Sequence, residues 1–138
     1  MANVLYDLGR ESFLKGEISW SGDAIAIALV DSALYTPNLA TDQFLSDVVA
    51  GGAVIASFSG MTSKTTATGV ADAADVTFSS VTGAVSEYLV VYQDTTVAGT
   101  SRLIGLLDSA GVTGLPVTPN GGDIQITFDS GANKIFKL

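Results

Sequence analysis

The chain has neither cysteine nor histidine in its 138 residues. Without cysteine there is no disulfide framework and no thiolate metal site. Without histidine the usual Ser–His and Cys–His nucleophilic arrangements are excluded, and any metal would be left to oxygen ligands. Positive charge is also scarce: six Lys and Arg stand against fourteen Asp and Glu, a net charge of −8. Those six, Arg10, Lys15, Lys64, Arg102, Lys134 and Lys137, are spread along the whole chain. Phosphate contacts need cations clustered on one face, so nucleic acid is not expected as a partner. The acids are single rather than in blocks and read as a solvated surface. Long apolar runs are missing as well. The stretch at 24–30 (AIAIALV) falls far short of the roughly 20 residues that span a bilayer as a helix, so no membrane partner is expected. The opening MANVLYDLGR lacks a basic segment followed by an apolar core, so no secretory signal is expected and the protein is expected to be made and used without export by that route.

What is present is strand-like. Hydrophobic residues make up 47% and mean hydropathy is +0.43, with so little charge that part of the surface is expected to be covered by partner subunits in a homo-oligomer. Residues 24–30 alternate small and large apolar side chains, which predicts a central strand with Ile25, Ile27 and Leu29 in the core and the alanines on a close-packed surface. Residues 53–58, 75–79, 86–93 and 102–108 read as further strands, the last two as a hairpin with a long tip. Residues 115–138 read as a closing β-hairpin: Asn120-Gly121-Gly122 turns the chain, Ile124, Ile126 and Phe128 share one face, and Ile135, Phe136 and Leu138 return to the sheet. Helical spacing appears over residues 4–15, ended by Gly16, and over 42–48 behind Thr41 as N-cap. The segment 61–71, rich in Thr, Ser, Gly and Ala, fits either an edge strand or a long loop. The expected architecture is mainly β: one antiparallel β-sandwich domain over 1–138, jelly-roll-like, with one or two short helices. Residues 1–16 form an N-terminal helical arm whose broken periodicity suggests that it reaches into a neighbour.

Few residues suggest chemistry. Asp31, Glu87, Asp94 and Asp108 lie near strand ends and would be candidates for a two-carboxylate glycosidase, but Asp beside Gly, Ser or Thr is ordinary turn chemistry. Asp72 and Asp75 hint at a cation loop, yet they lack the ligand number and spacing that calcium requires. Gly51-Gly52 and Gly121-Gly122 lack the context of a phosphate cradle and read as turns. No enzyme activity, cofactor or metal is expected. The candidate residues are for partner contact. Tyr6, Phe13, Trp20 and Tyr35 form either a sugar-binding aromatic patch or core and interface anchors. Thr62, Thr65, Thr66 and Thr68 lie on a poorly charged edge open to strand addition.

Three blocks, ALVDSALYTPNLATDQFLSDV at 28–48, ADAADVTFSSVTG at 71–83 and SRLIGLLDSAGVTGLPVTPNGGDIQITFDSGANKIFKL at 101–138, together resemble a family of small proteins encoded in the structural gene clusters of tailed bacteriophages. LPVTPNGGDI and GANKIFKL are its most specific parts. The resemblance implies a virion component without enzymatic residues, made in the host cytoplasm and partnered by the major capsid protein or other virion proteins, without fixing which part of the particle it forms; the capsid surface is the expected place. Within that class a capsid decoration (cement) protein is the expected role. A tail, neck or baseplate component is the structural alternative, and a host-glycan-binding module is the alternative from another class.

Overall fold

A computed structural model of the chain describes residues 3–138. It is mainly β, with ten strands and two short α-helices among those residues: β1 (Val4–Leu5), α1 (Asp7–Leu14), β2 (Ile25–Val30), α2 (Leu45–Val49), β3 (Val54–Ser59), β4 (Val70–Ala71), β5 (Val76–Phe78), β6 (Tyr88–Gln93), β7 (Leu103–Leu107), β8 (Val112–Thr113), β9 (Ile124–Phe128) and β10 (Phe136–Lys137). Every ladder between them is antiparallel. The strands form a five-stranded sheet in the order β1-β7-β6-β2-β3, a three-stranded sheet β5-β9-β8, and a separate pair β10-β4.

The alternation read in the sequence places the core. Ile25, Ile27 and Leu29 of β2 cluster with Leu89 and Val91 of β6 and with the inward residues of the second sheet, Val76, Phe78, Ile124, Ile126 and Phe128. Side chains from both sheets thus meet in one core, and each large one removed from water contributes roughly 1.5–3 kcal/mol. The opposite face of β2 is close-packed, as its alanines predict. Ala26, Ala28 and Val30 are also fully buried, under Tyr6, Tyr35, Val48 and Ala53. The alanines are small because a second layer, drawn mainly from residues 31–53, lies close over them.

The N-terminal segment is not an arm. Val4 and Leu5 form a strand on β7, opposite Leu106 and Gly105, and the Tyr6 amide continues the ladder to Ile104 O at 3.0 Å. The helix begins only at Asp7, whose carboxylate suits the first turn. It ends at Gly16, where φ is +74° and the Gly16 and Glu17 amides bond back to Phe13 O and Ser12 O, closing the left-handed cap expected there. α1 docks on its own sheet through Gly9 and Ser12, its buried residues. At Ile104 β7 carries one extra residue against β6, and a Cβ on Gly9 would lie 2.6 Å from Leu103 O beside that bulge.

Two further elements depart from expectation. α2 starts at Leu45 rather than 42, because Asp42 is used elsewhere: it accepts from the Tyr35 hydroxyl and the Asn38 amide. Asp47 then serves the helix start by accepting from the Gln43 and Phe44 amides at 2.9 and 3.0 Å. The closing stretch is not a hairpin. β9 pairs with β5 and β8, while β10 crosses to β4, where Phe136 faces Ala71 and Lys137 faces Val70. Residues 18–20 form no strand, although Ile18 and Trp20 are buried.

Candidate partner-docking site

The β4-β10 pair organises the site. The Leu138 amide donates to Gly69 O at 3.0 Å and the Ile135 amide to Ala71 O at 3.1 Å, so the C-terminal residues lie along the turn at 67–71. That turn is a short 3-10 segment, Ala67–Gly69, in which Thr68 and Gly69 take left-handed φ values of +57° and +78°. Phe136 then meets two other rings. Trp20 packs edge-on against it at 5.3 Å between centroids, and Phe13, near the end of α1, lies at 6.0 Å. Trp20 Nε1 donates to Asp72 O at 3.2 Å, which satisfies the indole and fixes its orientation.

Between these groups lies an apolar notch of about 90 Å³, lined by Phe13, Trp20, Thr66, Gly69, Phe136 and Leu138 among others. No charged side chain lines it. Leu138, which lines it, is 60% exposed, and Leu14, the residue after Phe13, is 90% exposed. α1 is therefore inverted in its chemistry: it buries glycine and serine, and near its end it holds Phe13 half-buried and Leu14 in water. Removing a leucine side chain from water is worth roughly 1.5–3 kcal/mol, so this surface gains free energy when another molecule covers it.

The sequence candidates divide between two places. Phe13, Trp20 and Thr66 converge on the notch. Tyr6 and Tyr35 lie in the second core layer, on the other face of the five-stranded sheet, and are buried. The four aromatics therefore form no common patch, and Trp20 at 5% exposure presents no open ring face for stacking on a sugar. Thr62, Thr65, Thr66 and Thr68 are all exposed. They are not an open strand edge, however: Thr65 pairs with Asp72 in both directions, Thr62 O accepts from the Ala74 amide, and the positive φ of Ser63 and Thr68 bends the segment. Leu14, Phe136 and Leu138 escaped the sequence reading. Leu14 closes α1 and Leu138 follows the two-residue β10, so neither gives a periodic signal, and Phe136 gains meaning only once β10 is placed on β4.

The carboxylates near strand ends are occupied as turn acceptors. Asp31, Asp94 and Asp108, directly after β2, β6 and β7, accept from the amides of Ala33, Thr96 and Ala110 at 2.8–3.0 Å, two residues on in each case. Glu87 accepts from the Ser32 amide. Asp72 pairs with Lys134 at 3.4 Å, and Asp75 accepts from the Phe128 amide. Among the described residues no three acidic side chains are grouped to hold a metal ion, and no helix is long and apolar enough to cross a membrane. No family model matches the chain, and no curated protein sequence matches it.

Proposed function

We propose that this chain is a structural protein of a tailed-phage virion, a capsid decoration protein that binds between major capsid subunits and stabilises the head. The resemblance of its three sequence blocks to phage structural-cluster proteins supports the particle. The observation that carries docking is Leu14, 90% exposed and next in the chain to Phe13, which lines an apolar notch. A rigid antiparallel framework holds that notch, and no part of the notch requires catalysis. Each copy acts through binding free energy alone, and many copies add up across a shell under internal pressure. The glycan-binding alternative loses the feature that favoured it, since Trp20 is buried and hydrogen-bonded.

The test is the amount of this protein in purified particles relative to the major capsid protein, by quantitative mass spectrometry. Decoration requires a ratio of about one copy per capsid subunit, or per few subunits, as an additive many-copy mechanism demands. A ratio of a few per cent overturns decoration and moves the protein to the tail, neck or baseplate.

A further inference from the structure

We propose that a second depression, the cleft between α1 and β10, binds a carboxylate-bearing segment of a neighbouring polypeptide. The inference rests on the docking reading above and deepens it by naming the chemistry that a partner must bring.

The cations are dispersed in the sequence but not in space. Arg10, Lys134 and Lys137, half of the chain's six, line one cleft of about 300 Å³, with a single carboxylate, Asp129, on its wall. In a chain of net charge −8 the side chains lining this cleft are an exception, three cations to one carboxylate. Two of the three cations already have partners, Arg10 with Asp7 at 2.9 Å and Lys134 with Asp72 at 3.4 Å. Both are partly exposed pairs of the kind worth at most about 1 kcal/mol, so they yield readily to a better-placed anion. Lys137 has no ion pair among the described residues.

The cleft also discriminates among anions. A nucleic acid or an anionic lipid surface presents an extended negative field, which the overall charge repels. A lone carboxylate senses mainly charges within about 10 Å at moderate salt. Here those are the three cations together with Asp129 and the carboxylates of Asp7 and Asp72, and an incoming carboxylate must displace the last two from Arg10 and Lys134. The Arg10 guanidinium offers a planar fork that matches a carboxylate. Val4, Leu5, Ile135 and Phe136 supply apolar wall, suited to the methylenes of an acidic side chain and superfluous for an inorganic ion. Phe136 borders both this cleft and the notch. One partner segment with an apolar anchor and a nearby carboxylate therefore reaches both.

The experiment is a ¹⁵N–¹H correlation titration of the full chain with an acetylated, amidated hexapeptide carrying glutamates, its glutamine counterpart, and inorganic phosphate. The expected result is that the glutamate peptide shifts the amides of Arg10, Gly111 and Lys134 to Lys137, while the glutamine peptide does not. Lys137→Ala and Arg10→Ala, both at exposed positions, should each weaken binding about tenfold, the scale of one charge-assisted hydrogen bond. Equal shifts with the glutamine peptide, tighter binding of phosphate than of the glutamate peptide, or no response to either peptide would each overturn the proposal. None of these outcomes changes the particle ratio, so the cleft and the docking reading fail separately.

Discussion

The hydroxyl of Tyr6 lies 2.9 Å from that of Tyr35, and Tyr35 in turn donates to Asp42 Oδ2 at 2.7 Å. This chain of hydrogen bonds fastens the covering segment 31–53 to the alanine face of β2. Its members are not equivalent. Tyr35→Phe leaves the Tyr6 hydroxyl buried without its acceptor and costs about 1–3 kcal/mol, whereas Tyr6→Phe removes one donor and costs about 1 kcal/mol. Urea unfolding of the two variants and of the double variant should show that order, with the double variant less destabilised than the sum.

The same pair gives the fold an alkaline limit. Burial pushes both hydroxyls well above the ordinary tyrosine value, with the hydrogen bond from Tyr6 adding to the effect at Tyr35. The folded chain therefore keeps protons that the unfolded chain releases above about pH 10. Fewer protons on the unfolded state make stability fall as pH rises, by up to about 1.4 kcal/mol per pH unit for each tyrosine. Urea midpoints measured from pH 8 to 11 should be flat and then decline. The double Phe variant should decline less, keeping the smaller contribution of Tyr92, which burial also raises.

Gly9 and Gly16 separate two reasons for glycine. Alanine at Gly9 places a methyl 2.6 Å from Leu103 O, a backbone atom that cannot swing away, and overpacking of this kind costs about 1–3 kcal/mol. Alanine at Gly16 meets nothing within 4 Å but must hold φ near +74°, a cost of about 1–2 kcal/mol. Hydrogen exchange tells them apart. Gly9→Ala should speed exchange through β1 and α1 together, and Gly16→Ala only in the last helical turn.

Leu14→Glu tests docking without testing the fold. The side chain is 90% exposed, so stability should change by less than about 0.5 kcal/mol. Co-sedimentation with particles should be lost. Unchanged association of a folded Leu14→Glu protein would remove the notch from the docking reading. Phe136→Ala is the contrasting control, because it strips a buried ring and should cost about 3–5 kcal/mol.

Much of the framework was legible because period-two alternation survives wherever one face of a strand is buried. β2, β5, β6 and β9 appear where that pattern predicts them, with Val76, Phe78, Ile124, Ile126 and Phe128 inward. What was hidden depends on contacts distant in sequence. Two-residue strands such as β1 and β4 carry no period at all, and their partners lie far along the chain. Alanines 26 and 28 announce a close-packed cover, but not that Tyr35 and Val48 supply it. Asp42 resembles a first-turn residue until Tyr35 claims its carboxylate. At the site, Phe13 and Trp20 were singled out as aromatics and Thr66 as part of a strand edge, and only the fold shows that the three share one notch. Charge behaved in the same way: Arg10 stands far from Lys134 and Lys137 in sequence, so a count along the chain could not reveal the cleft they line.

Because Phe136 supplies the third ring and Leu138 a wall of the notch, that surface is incomplete on any fragment that stops before residue 136. A nascent chain on the ribosome can assemble β2, β3 and β6 before residue 136 is made, yet has nothing with which to grip a partner. The notch is thus completed only after the framework sheet has its strands. Fragments left by premature termination or by proteolytic trimming past residue 136 would not compete with intact subunits for the same places.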